Sequence, residues 1–459
     1  MPTYFAAEAL LPEGWAKNVR MAVNELGEFG AVRAGAEPQG SERLAGPALP
    51  GMANVHSHAF QRAMAGLAEL RGDQEDDFWT WRELMYRFVA RLTPGHAFVI
   101  AQQTYIELLK HGYTAVAEFH YVHNDEDGKP FRNPAQMLLR HHAAAHETGI
   151  AITLLPSMYR WSDFESKPLA PRQKRFASDP AAILKMVEAA RRAAGQHPDE
   201  RVGVAPHSLR AVDTGSLDEL IAGYSAIDPQ GPIHIHAAEQ LKEVDACVAW
   251  RGKRPVEWLL AHMPVNERWC LVHATHMTEE ESKALARSGA VAGLCPSTEA
   301  NLGDGVFALL PYREAGGRYG IGGDSHVSRS AAEELRLLET VQRLQSRRRN
   351  LVIGKHSRAV GTTLWLEAAA GGAQALGRPM GAIATGLRAD LVVLDGSHPD
   401  VVERSGDAIT NAFVFSSGSN PVRDVMVGGK WSVRQGRHAR EEVATQDYRQ
   451  AVAALLADA

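Results

Sequence analysis

Eight short apolar runs recur along the chain, each passing from aliphatic into polar residues: Met52 to His58, Ala115 to Tyr121, Ala151 to Met158, Val202 to Ser208, Ile233 to Glu239, Cys270 to Thr275, Ala290 to Ser297 and Tyr319 to His326. Longer amphipathic or Ala-rich stretches separate them, the pattern of repeated βα units around a parallel sheet. Eight such units close a (β/α)8 barrel, whose strands meet at their carboxyl ends on one face. The polar residues at those ends, among them His56, His58, Glu118, Tyr121, Ser157, His207, His236, Glu239, His273, Cys295 and Asp324, are therefore expected to converge.

The two ends of the chain read differently. Val19 to Val23 and Glu28 to Val32 alternate and are broken by Gly27 and Gly30, while Ala389 to Asp395 and Val422 to Arg434 are strand-like, with Gly428 and Gly429 at a turn. The expected fold is α/β: a distorted TIM barrel over 51–375, a small β-sandwich domain shared by 1–50 and 376–440, and a C-terminal helix over 441–459. A chain of 459 residues is long enough for that arrangement.

Forty-nine basic against 54 acidic residues leave a formal charge of -5, which argues against a nucleic-acid partner. No stretch approaches the roughly 18 uninterrupted apolar residues of a membrane span, and the N-terminus lacks a basic region ahead of an apolar core. Three scattered cysteines, Cys247, Cys270 and Cys295, fit a reducing cytosol better than a disulfide framework.

Val55-His56-Ser57-His58 places two imidazoles at i and i+2, on the same side of a strand. Alone this is a weak signal, since a pair of core or solvated histidines looks the same. His236, near the end of the fifth strand, and Asp324, after Gly322-Gly323, strengthen it: three imidazoles and a carboxylate form a set suited to zinc, with iron or manganese as alternatives. His234 has the same orientation but lies deeper, where packing is the simpler reading. Glu239 is left as the base that a metal hydrolase needs for its water proton, and His273 as a group that polarises the reacting centre.

Other features carry less. His142 and His146 have i, i+4 spacing without the glutamate of H-E-x-x-H and are read as a solvated helix face. Arg347-Arg348-Arg349 reads as a solvated charge run, and Cys295 as a buried thiol.

The H-x-H, the H-x-x-E of His236 and Glu239, His273 and Asp324 resemble the amidohydrolase superfamily in its single-metal deaminase branch, as do Leu49 to His58 and Ala389 to Asp395. The fourth strand lacks the lysine of dinuclear members, which points to one metal. Three stretches, His58-Ala-Phe-Gln-Arg62, Ala117 to His123 and Gly323 to Ser328, are similar to the formimidoylglutamate deiminases of histidine breakdown. The resemblance implies hydrolysis of N-formimidoyl-L-glutamate to N-formyl-L-glutamate and ammonia, with substrate contacts at Gln61, Arg82, Tyr121, His207 and Arg210. A substrate with two carboxylates suits a pair of arginines, which bind carboxylates bidentately. A homodimer is the expected assembly for such an enzyme, though no motif encodes it. The rival readings are a deaminase of the same superfamily acting on a guanine-like ring or a guanidino acid, and a catalytically silent barrel scaffold.

Overall fold

The computed structural model describes residues 1–71, 76–195, 197–355, 357–416 and 418–457. The barrel strands are Met52–Ser57, Tyr113–His120, Ala151–Met158, the pair Glu200–Val202 and Ala205–Pro206, Ile233–Ala237, Trp269–His273, Val291–Leu294 and Arg318–Ile321. They pair in parallel in that order, and Ile321 against Asn54 joins the eighth to the first. Isolated bridges from Val204 to Ile233 and from Ser208 to His236 close the ring between the fourth and fifth. Every residue of the first, second, third, fifth and sixth strands is buried, which explains their apolar runs: helices cover one face and the barrel interior the other.

The fourth, seventh and eighth strands depart most from the sequence pattern. The fourth is split at Gly203, where a Cβ would meet Leu155 Cδ2 and Pro232 O at 2.6 Å each, so the backbone passes too close to its neighbours to continue the ladder. The seventh ends at Leu294, because Pro296 opens the helix Pro296–Leu302. The eighth ends at Ile321: a Cβ on Gly322 would stand 2.8 Å from His56 N, and Asp324 follows in left-handed backbone with φ 47°. Asp324 thus lies three residues beyond its strand rather than on it.

The chain ends share one mixed sheet of Arg437–His438, Lys430–Arg434, Val422–Val427, Leu391–Leu394, Ala48–Pro50, Thr3–Leu11, Gly14–Val23 and Phe29–Arg33, with Glu42–Arg43 beside Thr3–Leu11. Ala48–Pro50 runs parallel to the N-terminal strand and antiparallel to Leu391–Leu394, stitching the ends together. Thr3–Leu11 escaped the alternation pattern because Tyr4, Phe5 and Ala6 are all buried in succession. Two residues past the sheet the chain enters the barrel. Fully buried Trp365, on the helix Val360–Ala375, donates its indole N–H to Pro50 O at 3.0 Å at this junction. Truncating such a residue to alanine costs roughly 3–5 kcal/mol. The helix Glu441–Leu456 packs on Pro94–Lys110, and among the described residues no helix is long and apolar enough to cross a membrane.

Candidate active site

His56 and His58 leave the first strand side by side, and His236 faces them from the fifth. His56 Nε2 lies 3.1 Å from His58 Nε2 and 3.0 Å from His236 Nε2. A carbonyl oxygen can only accept, so the contacts of His58 Nδ1 to Phe119 O at 2.7 Å and of His236 Nδ1 to His207 O at 3.0 Å put both protons on Nδ1. The Nε2 atoms of His58 and His236 then both present lone pairs to His56 Nε2, which has one proton at most to offer, so hydrogen bonding can satisfy only one of the two contacts and a cation can satisfy both. Burial holds all three imidazoles neutral: His58 is pushed down to about 3, and His56 and His236 well below their ordinary value. Asp324 Oδ1 completes the set at 3.6 Å from His56 Nε2 and 3.5 Å from His58 Nε2. His56, His58 and Asp324 form one group of donor atoms close enough to share a cation, and His236 joins His56 and His273 in a second that overlaps it, so the donor chemistry of the three imidazoles and the carboxylate fits a divalent cation centred on His56.

Beyond this cluster, His273 Nε2 lies 3.7 Å from both Glu239 Oε1 and Asp324 Oδ2. Burial opposes a charge on His273, but the surrounding carboxylates of Glu239, Asp324 and Glu299 outweigh it and push the imidazole up to about 10. Burial raises Glu239 to about 7 against the pull of His273. Ala238, His273 and Asp324 all have positive φ (51°, 66° and 47°), so the chain turns sharply where each strand delivers its functional group.

One cavity brings cationic side chains to this end. It is lined by His58, His236, Glu239 and Asp324 together with Gln61, Arg82, Tyr121, His207 and Arg210. All five residues proposed from the resemblance as substrate contacts thus share a wall with three of the four metal-ligand candidates. His56 and His273 sit behind that wall. Gln61 donates through Nε2 to Tyr121 Oη at 3.0 Å, and His207 stacks on His236 with 4.8 Å between ring centroids.

The two arginines lack an acid. Arg210 Nη1 donates to Tyr159 Oη at 3.1 Å and to Ser162 O at 3.2 Å, whereas the buried Nε and Nη1 of Arg82 have no hydrogen-bond partner. The Arg82 guanidinium rests on Trp79, 4.4 Å from its ring centroid. Burial and the neighbouring charge of Arg210 both lower the Arg82 pKa. Among the described residues no carboxylate forms an ion pair with either. The charges of Glu243 on Arg210 and of Glu83 on Arg82 act without a direct ion pair, so two adjacent cations with free donors face the cavity and an incoming anion can pair with them.

Sequence reasoning missed the aromatic half of this wall: Phe78, Trp81 and Tyr86 from the helix Phe78–Val89, with Tyr159 and Phe176. The cluster Phe78-Trp79-Thr80-Trp81 was its available signal. Glu118, at the end of the second strand, brackets His58 instead of entering the cavity, accepting from Ser57 Oγ at 2.6 Å and Ala59 N at 2.9 Å. His234 is fully buried and donates to Ala375 O at 2.8 Å, the packing role expected. Cys295 is a free buried thiol, as read from the sequence, its pKa raised by burial. The face of His142 and His146 is not simply solvated: His142 Nε2 meets Glu200 Oε2 at 2.6 Å, tying the helix Gln136–Thr148 to the fourth strand.

Comparison with known proteins agrees with this geometry. The Amidohydrolase family profile matches residues 48–432, and the profile "Formimidoylglutamate deiminase HutF, N-terminal domain" matches residues 1–46. The chain is 52% identical over 457 residues to a formimidoylglutamate deiminase of Pseudomonas aeruginosa, covering 99% of this chain and 100% of that one.

The chain belongs to the amidohydrolase family, in its formimidoylglutamate deiminase branch.

This amidohydrolase superposes with a TM-score of 0.94 on an amidohydrolase from Brucella melitensis, at 43% identity over 99% of this chain and 100% of that one. An adenosine deaminase from Xanthomonas campestris with bound zinc shares the fold at a TM-score of 0.82 and 20% identity, over 99% of this chain and 98% of that one.

Proposed function

We propose that this amidohydrolase hydrolyses N-formimidoyl-L-glutamate to N-formyl-L-glutamate and ammonia. The observation that carries the reading is the pair Arg82 and Arg210, which form no ion pair and line the same cavity as His58, His236 and Asp324. A cavity that combines cationic and metal-ligating side chains suits a dicarboxylate whose amidine carbon must reach a hydrolytic centre. The identity of 52% to the Pseudomonas aeruginosa deiminase supports the same substrate.

His56, His58, His236 and Asp324 would hold one divalent cation, zinc by the preference of such a nitrogen and oxygen set, and its chemistry is to acidify water toward neutral pH. The residues then divide the work. The guanidinium groups of Arg82 and Arg210 bind the carboxylates, with Gln61, Tyr121 and His207 as polar contacts that orient the substrate. Glu239 Oε1 takes one proton of the attacking water and delivers it to the terminal nitrogen of the formimidoyl group, then carries the second from the hydroxyl on the tetrahedral carbon to the same nitrogen. The carbon–nitrogen bond breaks, the carbon keeps the water oxygen as its formyl oxygen, and the nitrogen, with both protons, departs as ammonia. His273 Nε2, beside Glu239, faces the developing charge.

The test is ammonia release from N-formimidoyl-L-glutamate by zinc-loaded and metal-stripped protein, beside a guanine-like base and a guanidino acid. Metal-dependent release from the first substrate alone is expected. Preference for either of the others overturns the substrate assignment.

A further inference from the structure

The helix Pro296–Leu302 begins with Ser297-Thr298-Glu299, and each of these residues is fastened to a different neighbour. Ser297 donates from N and Oγ to Glu334 at 2.9 and 2.5 Å. Thr298 Oγ1 donates to Gly323 O at 3.2 Å and accepts from Ser325 N at 3.3 Å, so it grips the chain on both sides of Asp324. Glu299 Oε1 accepts from Cys295 N at 2.8 Å and from His273 Nδ1 at 3.2 Å.

The last contact decides how His273 presents itself. The residue is fully buried, and it and Ala274 both hold left-handed backbone, with φ 66° and 47°. Such conformations cost about 1–3 kcal/mol each and persist where the surroundings over-determine them. With Nδ1 held by Glu299, the opposite nitrogen, Nε2, is turned to Glu239 and Asp324 at 3.7 Å and has no hydrogen-bond partner of its own. His273 Nδ1, Cys295 Sγ and Glu299 Oε1 also lie close enough to share a cation. The glutamate oxygen already receives two N–H donors, however, which makes the group a hydrogen-bonded bracket.

We propose that Glu299 is a positioning residue for deimination: its carboxylate fixes the His273 ring so that Nε2 faces the reacting centre. Glu299 does not line the substrate cavity, although Thr298 and Leu302 of the same helix do, and its direct contact with the groups of the site is the one to His273. The inference rests on the part assigned to His273 in the proposed reaction.

The experiment uses zinc-loaded, full-length protein with Glu299→Met, which fills the space without an acceptor, Glu299→Gln, which keeps one, and His273→Asn alone and combined with Glu299→Met. Glu299→Met should lower kcat at least about tenfold, the modest end of proton-transfer and positioning effects, with KM and zinc content little changed. Glu299→Gln should recover most of the loss, and Glu299→Met should cost nothing further in the His273→Asn background. In proton NMR of histidine-labelled protein, the His273 Nδ1–H resonance, identified by its loss in His273→Asn, should vanish in Glu299→Met and move upfield in Glu299→Gln. An unmoved resonance, or full additivity of the two losses, overturns the proposal. A loss in His273→Asn that Glu299→Met does not share overturns it alone, whereas normal turnover in His273→Asn overturns it together with the part given to His273.

Discussion

Glu239 Oε1 stands 3.7 Å from His273 Nε2, and Asp324 Oδ2 reaches the same nitrogen at the same distance. Asp324 therefore divides its carboxylate, with Oδ1 toward His56 and His58 and Oδ2 toward the imidazole shared with Glu239. Glu239 contributes no atom to the groups that could hold a cation. The metal and the proton shuttle are thereby separable by mutation. Glu239→Gln should keep its metal, measured by elemental analysis, and lose at least about 100-fold in kcat, the low end of a general acid–base contribution. Near-normal turnover removes Glu239 from the role.

The two arginines yield a prediction in which activity and stability move in opposite directions. Arg82 is half-buried, with two buried and unpartnered guanidinium nitrogens, so Arg82→Met should lower kcat/KM for the dicarboxylate about 100-fold while raising the Tm of the substrate-free protein. Arg210→Met should lower kcat/KM similarly without the gain in Tm, because Arg210 gives up its hydrogen bonds to Tyr159 and Ser162. Thermal melts and steady-state kinetics on the two variants check both halves. Unchanged kinetics in both removes the charge-pairing idea.

The candidate cation cluster was legible because strand geometry leaves little freedom: H-x-H on one strand and H-x-x-E at the end of another aim their side chains by period alone. The surroundings of Arg82 were harder: Trp79 and Tyr86 lie on its own helix, but Arg210 and Tyr159 reach it from distant parts of the chain. The ends of the seventh and eighth strands were misplaced for a related reason. Pro296 redirects the chain into a helix, and the left-handed turn at Asp324 depends on the close passage of Gly322 over His56. Glu299 carried no local signal, because its partner His273 lies 26 residues earlier in the chain.

Stripping the cation should destabilise the fold as well as stop the reaction. Three imidazoles and a buried carboxylate converge, and the single proton that His56 could place among them cannot satisfy every lone pair. A ligand that binds only the folded state at 1,000 times its Kd adds about 4 kcal/mol. Chelator-treated protein should therefore melt earlier and release no ammonia, and added zinc should restore both, followed by scanning calorimetry and an ammonia assay. Equal melting temperatures with and without metal contradict a cation at this cluster.

A pH-dependent effect on stability is expected away from the cavity, at Glu334. Burial foremost pushes its carboxyl up to about 8, against the hydrogen bonds it accepts from Ser297 and with the charge of Glu299 adding to the push. Between the ordinary glutamate value of about 4.3 and this raised value, the folded chain holds a proton that the unfolded chain releases. Stability must then fall as pH rises through that window and level off above it. Glu334→Gln cannot ionise and loses this slope. Its Tm relative to the parent should climb from pH 5 to pH 8 in parallel melts, and a constant difference across that range shows that Glu334 does not titrate there.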